Sequence, residues 1–230
     1  YKRFADGISI RERWDKLLWD GFTEEQIRNC RELEKKLGIL KGRPMNWLQA
    51  NNGKENPYYR WSEQYRVNCQ TCTVVHELRR RGFDIVAKGK VEGFDTISET
   101  KMKWTERFGN KEEEYVKSSV WAKEHGYRIM TKNRIEEFLL NNLGENDGRY
   151  EIYCQWKKNS AHVFSAYTEN HKVLMFDPQN GKSGADIIKY IDSMKGSKVW
   201  VMRIDDKVIN TEMSKAITTK KKLKESIFGK

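Results

Sequence analysis

The sequence predicts an α+β domain, helices first and an antiparallel sheet later, and three observations carry that reading. Apolar residues recur at helical spacing through residues 10–37 and again through residues 69–81. From Arg149 the pattern switches to period two, with Tyr150, Ile152, Cys154 and Trp156 alternating with polar residues as in a half-buried strand. The 230 residues are 33% charged but also 12% aromatic, so the chain can bury a core without disulfide or metal staples and does not read as disordered. Helices segregated from an antiparallel sheet are the α+β pattern.

The first helix is expected over residues 10–19, with Ile10, Trp14, Leu17 and Leu18 on one face. Thr23 followed by Gln26 is a capping-box pattern. It opens a second helix whose Ile27, Cys30, Leu33 and Leu37 recur at helical spacing and which Gly38 stops. Residues 44–57, rich in Asn and bounded by Pro44 and Pro57, read as a linker or irregular loop. Asn68 is a good N-cap for a helix over residues 69–81, and Gly82 is its stop.

Residues 84–87 then read as a strand, residues 88–112 show no clear pattern, and residues 113–123 and 132–143 read as helices. The last of these carries Ile135, Phe138, Leu139 and Leu143 on one side. Residues 163–167 and 172–176 flank the polar bend Glu169-Asn170-His171 and read as a hairpin with His171 solvated at its tip. An amphipathic helix over residues 184–194 (Ile187, Ile188, Ile191) and a last apolar strand over residues 198–204 complete the fold. The expected organisation is a helical N-terminal extension or linker over residues 1–60, the main α+β domain over 61–210 and a basic tail over 211–230. A chain opening on Tyr1 rather than Met reads as an excised or processed fragment.

Lys and Arg number 44 against 33 Asp and Glu, a net charge of +11 that is unevenly spread. Residues 1–60 hold 13 basic and 9 acidic side chains, residues 61–150 hold 16 and 15, and residues 151–230 hold 15 and 9. The end of the chain, residues 215–230, has six Lys against Glu225. Such a tail suits nucleic acid, an anionic membrane or an acidic protein, or is simply a solvated end. The near-neutral middle speaks against a fold built to grip nucleic acid beyond that tail. No apolar run is long enough for a transmembrane helix, and no basic-then-apolar leader is present. The four cysteines, Cys30, Cys69, Cys72 and Cys154, match no disulfide framework and predict a reducing working compartment.

Cys69 is the first candidate for chemistry. A thiol in the first turn of a helix faces unpaired N–H groups and the positive end of the helix dipole, which favour thiolate over thiol and can hold a developing oxyanion. A nucleophilic Cys needs a base, and the base an orienting group. His162 opens one strand of the hairpin and Asp177 closes its partner, so the two are expected to meet across the strands, with Pro178 ending the second. Cys69, His162 and Asp177 thereby supply nucleophile, base and orienter.

Plainer readings stand beside that one. A Cys is often a small buried hydrophobe, a His a satisfied core or surface residue, and residues 177–181 no more than a turn. Cys69, Cys72 and His76 share a helical face at i, i+3 and i+7, so zinc with Cys30, Cys154 or His162 as fourth ligand is a rival, although no second CxxC or HxxxH pair exists. A redox CxxC lacks its preceding βαβ unit. His125 and the run Arg79-Arg80-Arg81 sit at helix C-termini, where cations suit the dipole, and no glycine-rich phosphate loop occurs.

The segment Asn68-Cys69-Gln70-Thr71-Cys72, followed by Glu77-Leu78-Arg79-Arg80-Arg81-Gly82-Phe83-Asp84, resembles the papain-fold toxin domains known as protein glutamine deamidases. A second motif follows in the same order: Ala161-His162-Val163-Phe164, then Phe176-Asp177-Pro178-Gln179-Asn180-Gly181. The resemblance spans residues 61–210 and is concentrated in these two regions. It implies a papain-like cysteine hydrolase domain of the kind appended to bacterial polymorphic toxins and to some phage or mobile-element head proteins.

It further implies that Cys69 attacks a carboxamide carbon. His162 then protonates the leaving ammonia and activates water, Asp177 orients the imidazole, and no cofactor or metal takes part. Papain-like enzymes use an upstream Gln at the oxyanion. Here Gln64 lies upstream at a different spacing, Asn68 is expected to be occupied as a cap, and Gln179 either lines the cleft or stabilises the turn. These three are the candidate substrate and oxyanion residues. The resemblance also implies a protein partner presenting a glutamine side chain, an immunity or carrier protein, and action in a reducing cytoplasm after secretion, injection or delivery with a virion. A cysteine protease, self-processing included, is the runner-up. A non-catalytic phage-head or mobile-element domain is the alternative from another class.

Overall fold

The computed structural model describes residues 10–51, 54–90, 102–109, 112–143, 147–170 and 172–229; His171, expected at a hairpin tip, lies outside them. Helices α1 (Ile10–Trp19), α2 (Glu24–Leu37), the single turn α3 (Trp47–Ala50) and α4 (Cys69–Arg80) come first. The capping box forms as expected: Gln26 N–H donates to Thr23 Oγ1 at 3.2 Å and Thr23 N–H to Gln26 Oε1 at 3.1 Å. A short strand β1 (Val86–Ala87) follows, then β2 (Val116–Lys117), α5 (Ser118–Glu124) and α6 (Lys132–Asn142). The hairpin and its neighbours are β3 (Gly148–Trp156), β4 (Ala161–Glu169) and β5 (Lys172–Phe176). The chain ends with α7 (Ala185–Ser193), β6 (Met194–Arg203), β7 (Ile217–Thr218) and α8 (Lys220–Phe228).

Five strands form one sheet in the order β2-β6-β3-β4-β5, every neighbour antiparallel, and β1 pairs with β7 in a separate ribbon. The α+β class read from the sequence is the class observed.

Both faces of the sheet are covered, which the alternation in β3 does not suggest. One face packs Ile152, Cys154, Phe164 and Val201 against Phe138 and Leu139 of α6 and Ile187 of α7. The other core joins Cys72, Val75 and Leu78 of α4 to Cys30, Leu33 and Leu37 of α2 and to Met202 and Ile204. Glu151, expected on a solvated face of β3, is 0% exposed. There it pairs with Arg107 and accepts from Tyr115 Oη and Thr73 Oγ1, each at 2.8 Å. A buried charge is tolerated only on such terms.

The described residues near both ends of the chain are folded in with the rest. Residues 1–60 were expected to form an extension, yet α2 shares a core with α4, and Glu55 and Asn56 are fully buried. In the basic tail, β7 closes on β1, and Leu223 of α8 packs with Tyr65 and Val86. The outer edge is α1, whose Trp14 and Leu17 remain about half exposed, with the Arg43 guanidinium 4.7 Å over the Trp14 ring.

Helix α4 is clasped at both ends by buried ion pairs. Near its start, Arg107 donates to the Gln70 carbonyl (2.7 Å) and to Thr73 Oγ1 (2.9 Å) while paired with Glu151 of β3. Near its end, Glu77 accepts from Arg81 Nε (2.8 Å) and, in a fork, from Arg149 Nε (2.7 Å) and Nη2 (2.9 Å). Burial alone would raise the Glu77 pKa, but the two guanidiniums outweigh it and hold the carboxyl down at about 2. Gly82, at φ 109°, then lets the chain pass against Gly42, whose N–H donates to the Gly82 carbonyl at 2.8 Å; any Cβ there would collide with Gly42.

Candidate active site

Cys69 is the first residue of α4 and is partly exposed, whereas Cys30, Cys72 and Cys154 are buried. The preceding Asn68 stands at the N-cap position but does not cap. Its side chain makes no capping bond to the backbone of the first turn and turns inward, donating to the Lys88 carbonyl (2.9 Å) and Asn56 Oδ1 (3.2 Å). Its Oδ1 accepts from Asn56 Nδ2 (3.2 Å), Cys72 Sγ (3.3 Å) and Gln179 Nε2 (3.4 Å). The expectation of an occupied cap is therefore corrected. Asn68 ties together three segments that converge behind Cys69, and among the described residues the N–H groups of Cys69 and Gln70 have no side-chain acceptor.

His162 sits near the start of β4 and Asp177 just past β5. The last rung between these strands pairs Ser165 with Phe176, so continuing by one residue sets Asp177 across from Phe164, on the face His162 shares. The two meet diagonally rather than directly opposite, and His162 Nε2 lies 2.8 Å from Asp177 Oδ2. With Nε2 committed, Nδ1 is the ring nitrogen left for Cys69, whose side chain is near enough to act on the charge of the imidazole. Burial disfavours the charged ring. The hydrogen bond and charge of Asp177, joined by Cys69, outweigh that cost and push the His162 pKa up to about 10. Cys69, His162 and Asp177, from three separate elements, are thus brought into one place.

Asp177 is fully buried and saturated with donors. Oδ2 accepts from Asn180 Nδ2 (2.6 Å) and Tyr190 Oη (2.9 Å) besides His162, and Oδ1 accepts from the Gln179 N–H (2.9 Å). The turn reading of residues 177–181 holds as well, since Gly181 N–H closes on the Asp177 carbonyl at 2.8 Å. The turn is what brings two of those donors round to the carboxylate. Rings complete the enclosure: Trp156 stacks on His162 at 5.7 Å, and Tyr190 stands edge-on at 6.0 Å.

The three tentative residues separate. Gln179 is buried in the Asn56–Asn68 knot and belongs to the turn. Gln64 lies in the 3-10 turn Glu63–Arg66, its carbonyl accepting from the Lys90 N–H (2.8 Å) and its residue exposed. Asn68 is the knot itself. Of the metal rival's residues, Cys72 is fully buried, with burial first and the Cys69 charge second raising its pKa well above the ordinary thiol value. His76 is taken by Glu55 at 2.7 Å. Among the described residues no group of three or more His, Cys, Asp or Glu side chains is gathered as a metal ion would need.

Reading the sequence missed Tyr190, Asn180 and Trp156, which hold the His162–Asp177 pair, and Arg107 and Glu151, which hold the start of α4. Asn180 stands inside the second motif and Trp156 ends the period-two run, so both carried a signal; nothing local marks Tyr190 or Arg107.

No protein-family model matches this chain, no curated protein matches it, and no solved structure matches it.

Proposed function

We propose that this chain is a cysteine hydrolase of papain-like architecture that converts a protein glutamine side chain to glutamate, acting as a toxin or effector. The observation that carries the chemistry is His162, hydrogen-bonded to Asp177 through Nε2, with Cys69, at an uncapped helix start, near enough to act on the same ring. Glutamine as the reacting group is supported by the two motifs around Cys69 and around His162 and Asp177.

Cys69 sulfur attacks the carboxamide carbon, and the carbonyl oxygen takes up negative charge facing the N–H groups of the first turn of α4. The C–N bond breaks as the His162 imidazolium gives its proton to the departing ammonia, leaving a thioester. His162 then removes a proton from water, whose oxygen displaces the sulfur and leaves glutamate. Asp177, held by four donors, keeps the ring oriented through both steps.

The test compares wild type with Cys69→Ala in bacterial and eukaryotic lysates by peptide mass spectrometry, scoring Gln-to-Glu conversion and new chain ends together. Conversion of particular glutamines that depends on Cys69 is the expected result. New termini in its place would make the protein a protease using the same carbonyl chemistry. If neither is seen, and Cys69 alkylates no faster than free cysteine below about pH 7, where an ordinary thiol of pKa about 8.5 is slow, the hydrolase reading falls.

A further inference from the structure

Two cysteines share the start of α4, and they differ in how an oxidant meets them. Cys69 is partly exposed, whereas Cys72, three residues on, is 0% exposed. Residues three apart on an α-helix have Cα atoms about 5 Å apart, within the roughly 4.4–6.8 Å that a disulfide spans. The turn that joins them is drawn tight, because the Asn68 carbonyl accepts from the N–H groups of both Thr71 (3.0 Å) and Cys72 (3.1 Å). The Cys72 side chain is directed back toward the helix start, its thiol donating to Asn68 Oδ1 at 3.3 Å. Burial first, and the nearby Cys69 charge second, hold that thiol protonated. Cys154 is a second buried thiol that feels Cys69. Its backbone is pinned in mid-sheet, across from His162 on one side and Val199 on the other, so it cannot shift toward α4 without breaking strand pairing. Cys69 and Cys72 ride on one turn of one helix and keep their separation whatever the sheet does.

We infer that Cys72 is the resolving thiol of Cys69, so that a peroxide reaching Cys69 is answered by a reversible Cys69–Cys72 disulfide. The Cys69 sulfur attacks one peroxide oxygen, the O–O bond breaks, and the thiol proton leaves with the departing hydroxide as water. Cys69 is then a sulfenic acid. The Cys72 sulfur attacks the Cys69 sulfur, the S–O bond breaks, and the Cys72 proton leaves with the hydroxyl as a second water. Two thiols have given two electrons to one peroxide. A protonated thiol attacks slowly in free solution, and its fixed place one turn away offsets that. Burial keeps the oxidant off Cys72, so Cys69 is always oxidised first. This is a switch on Cys69 rather than a dithiol catalyst, so the βαβ setting of redox enzymes is not required. That Cys69 is a reactive thiol rests on the hydrolase reading above, and on that reading the enzyme is off while oxidised and on again after reduction. The disulfide itself needs no amide substrate.

The experiment treats the reduced full chain with hydrogen peroxide, then denatures it, blocks free thiols with iodoacetamide and maps the tryptic peptides by mass. Both cysteines fall in one such peptide, residues 67–79, because no Lys or Arg lies between Val67 and Leu78. In wild type that peptide is expected unalkylated and two hydrogens lighter, and dithiothreitol returns it to the dithiol. In Cys72→Ser it gains oxygens at Cys69 instead, and dithiothreitol recovers about tenfold less alkylatable Cys69 than in wild type, since sulfinic and sulfonic acids are not reduced by thiols. Cys154→Ser behaves as wild type. An unchanged wild-type peptide, oxygens added to it in place of the disulfide, a link from Cys69 to Cys154 or Cys30, or equal recovery in Cys72→Ser would overturn the inference. The wild-type peptide is read without any substitution, so a Cys72→Ser chain that fails to fold leaves the test intact. A disulfide in a chain that converts no glutamine costs the hydrolase reading alone. Glutamine conversion by a chain that forms no disulfide costs this inference alone.

Discussion

Two histidines of this chain lie buried against a carboxylate at nearly the same distance, and their protons behave oppositely. His162 is 2.8 Å from Asp177 and is raised to about 10; His76 is 2.7 Å from Glu55 and is lowered. At His76 burial wins: the ring lies 4.3 Å from the Phe176 ring, Arg80 adds repulsion, and Glu55 does not make up the difference. The pair is left half-satisfied, with His76 Nε2 and Glu55 Oε2 lacking partners among the described residues. At His162 burial opposes the charge just as surely, but Asp177 and Cys69 together outweigh it. A carboxylate neighbour alone does not fix the direction of the shift; at His162 the effect of Asp177 is joined by that of Cys69.

The sharpest way to break this contrast is to remove each imidazole. His162→Gln lowers kcat by about a thousandfold or more with little change in urea midpoint. His76→Gln keeps turnover within about tenfold but costs about 1–3 kcal/mol of stability. Comparable losses of turnover in both variants would erase the distinction.

Asp177→Asn comes next, with kcat down roughly a thousandfold because an amide cannot hold the imidazolium or its tautomer. Its pH signature is specific. The fold favours charged His162, so the stability from that pair is complete below the ordinary value of 6.5 and is lost as pH rises through about 10. Asp177→Asn flattens this alkaline limb in urea titrations.

Glu77 supplies the opposite limb. Its carboxyl is held at about 2, so its contribution is complete above the ordinary value of 4.5 and is lost as pH falls toward 2. Glu77→Gln flattens the acid limb and costs about 3–5 kcal/mol, since Arg81 and Arg149 lose the charge they share. The smallest effect is expected from Tyr190→Phe, which removes one of the three donors to Asp177 Oδ2: a severalfold fall in kcat, read at saturating substrate.

Much of this was legible in the chain. The Thr23–Gln26 box, the helix opening at Cys69 and the hairpin placing His162 beside Asp177 follow from local rules, because caps, periodicity and turns act over a few residues. The buried charges did not follow. Glu151 in a period-two strand reads as solvent-facing, and only the distant Arg107 makes it a core residue. Asn68 looks like a cap because the competing acceptors, Asn56 and Lys88, come from other segments. The Lys-rich end hides Leu223, whose partners Tyr65 and Val86 lie far back in the sequence. Composition weighs the lysines and cannot see the one leucine that docks them.

The clasp at both ends of α4 also sets an order in time. During synthesis Cys69 emerges well before Arg149 and Glu151, which anchor its helix, and before His162 and Asp177, which would activate it. β3 itself pairs with β6, so the sheet cannot close until residue 203 has been made. A growing chain therefore presents Cys69 before the segments that anchor its helix exist, and Cys69, His162 and Asp177 are held together only after residue 203 has been made.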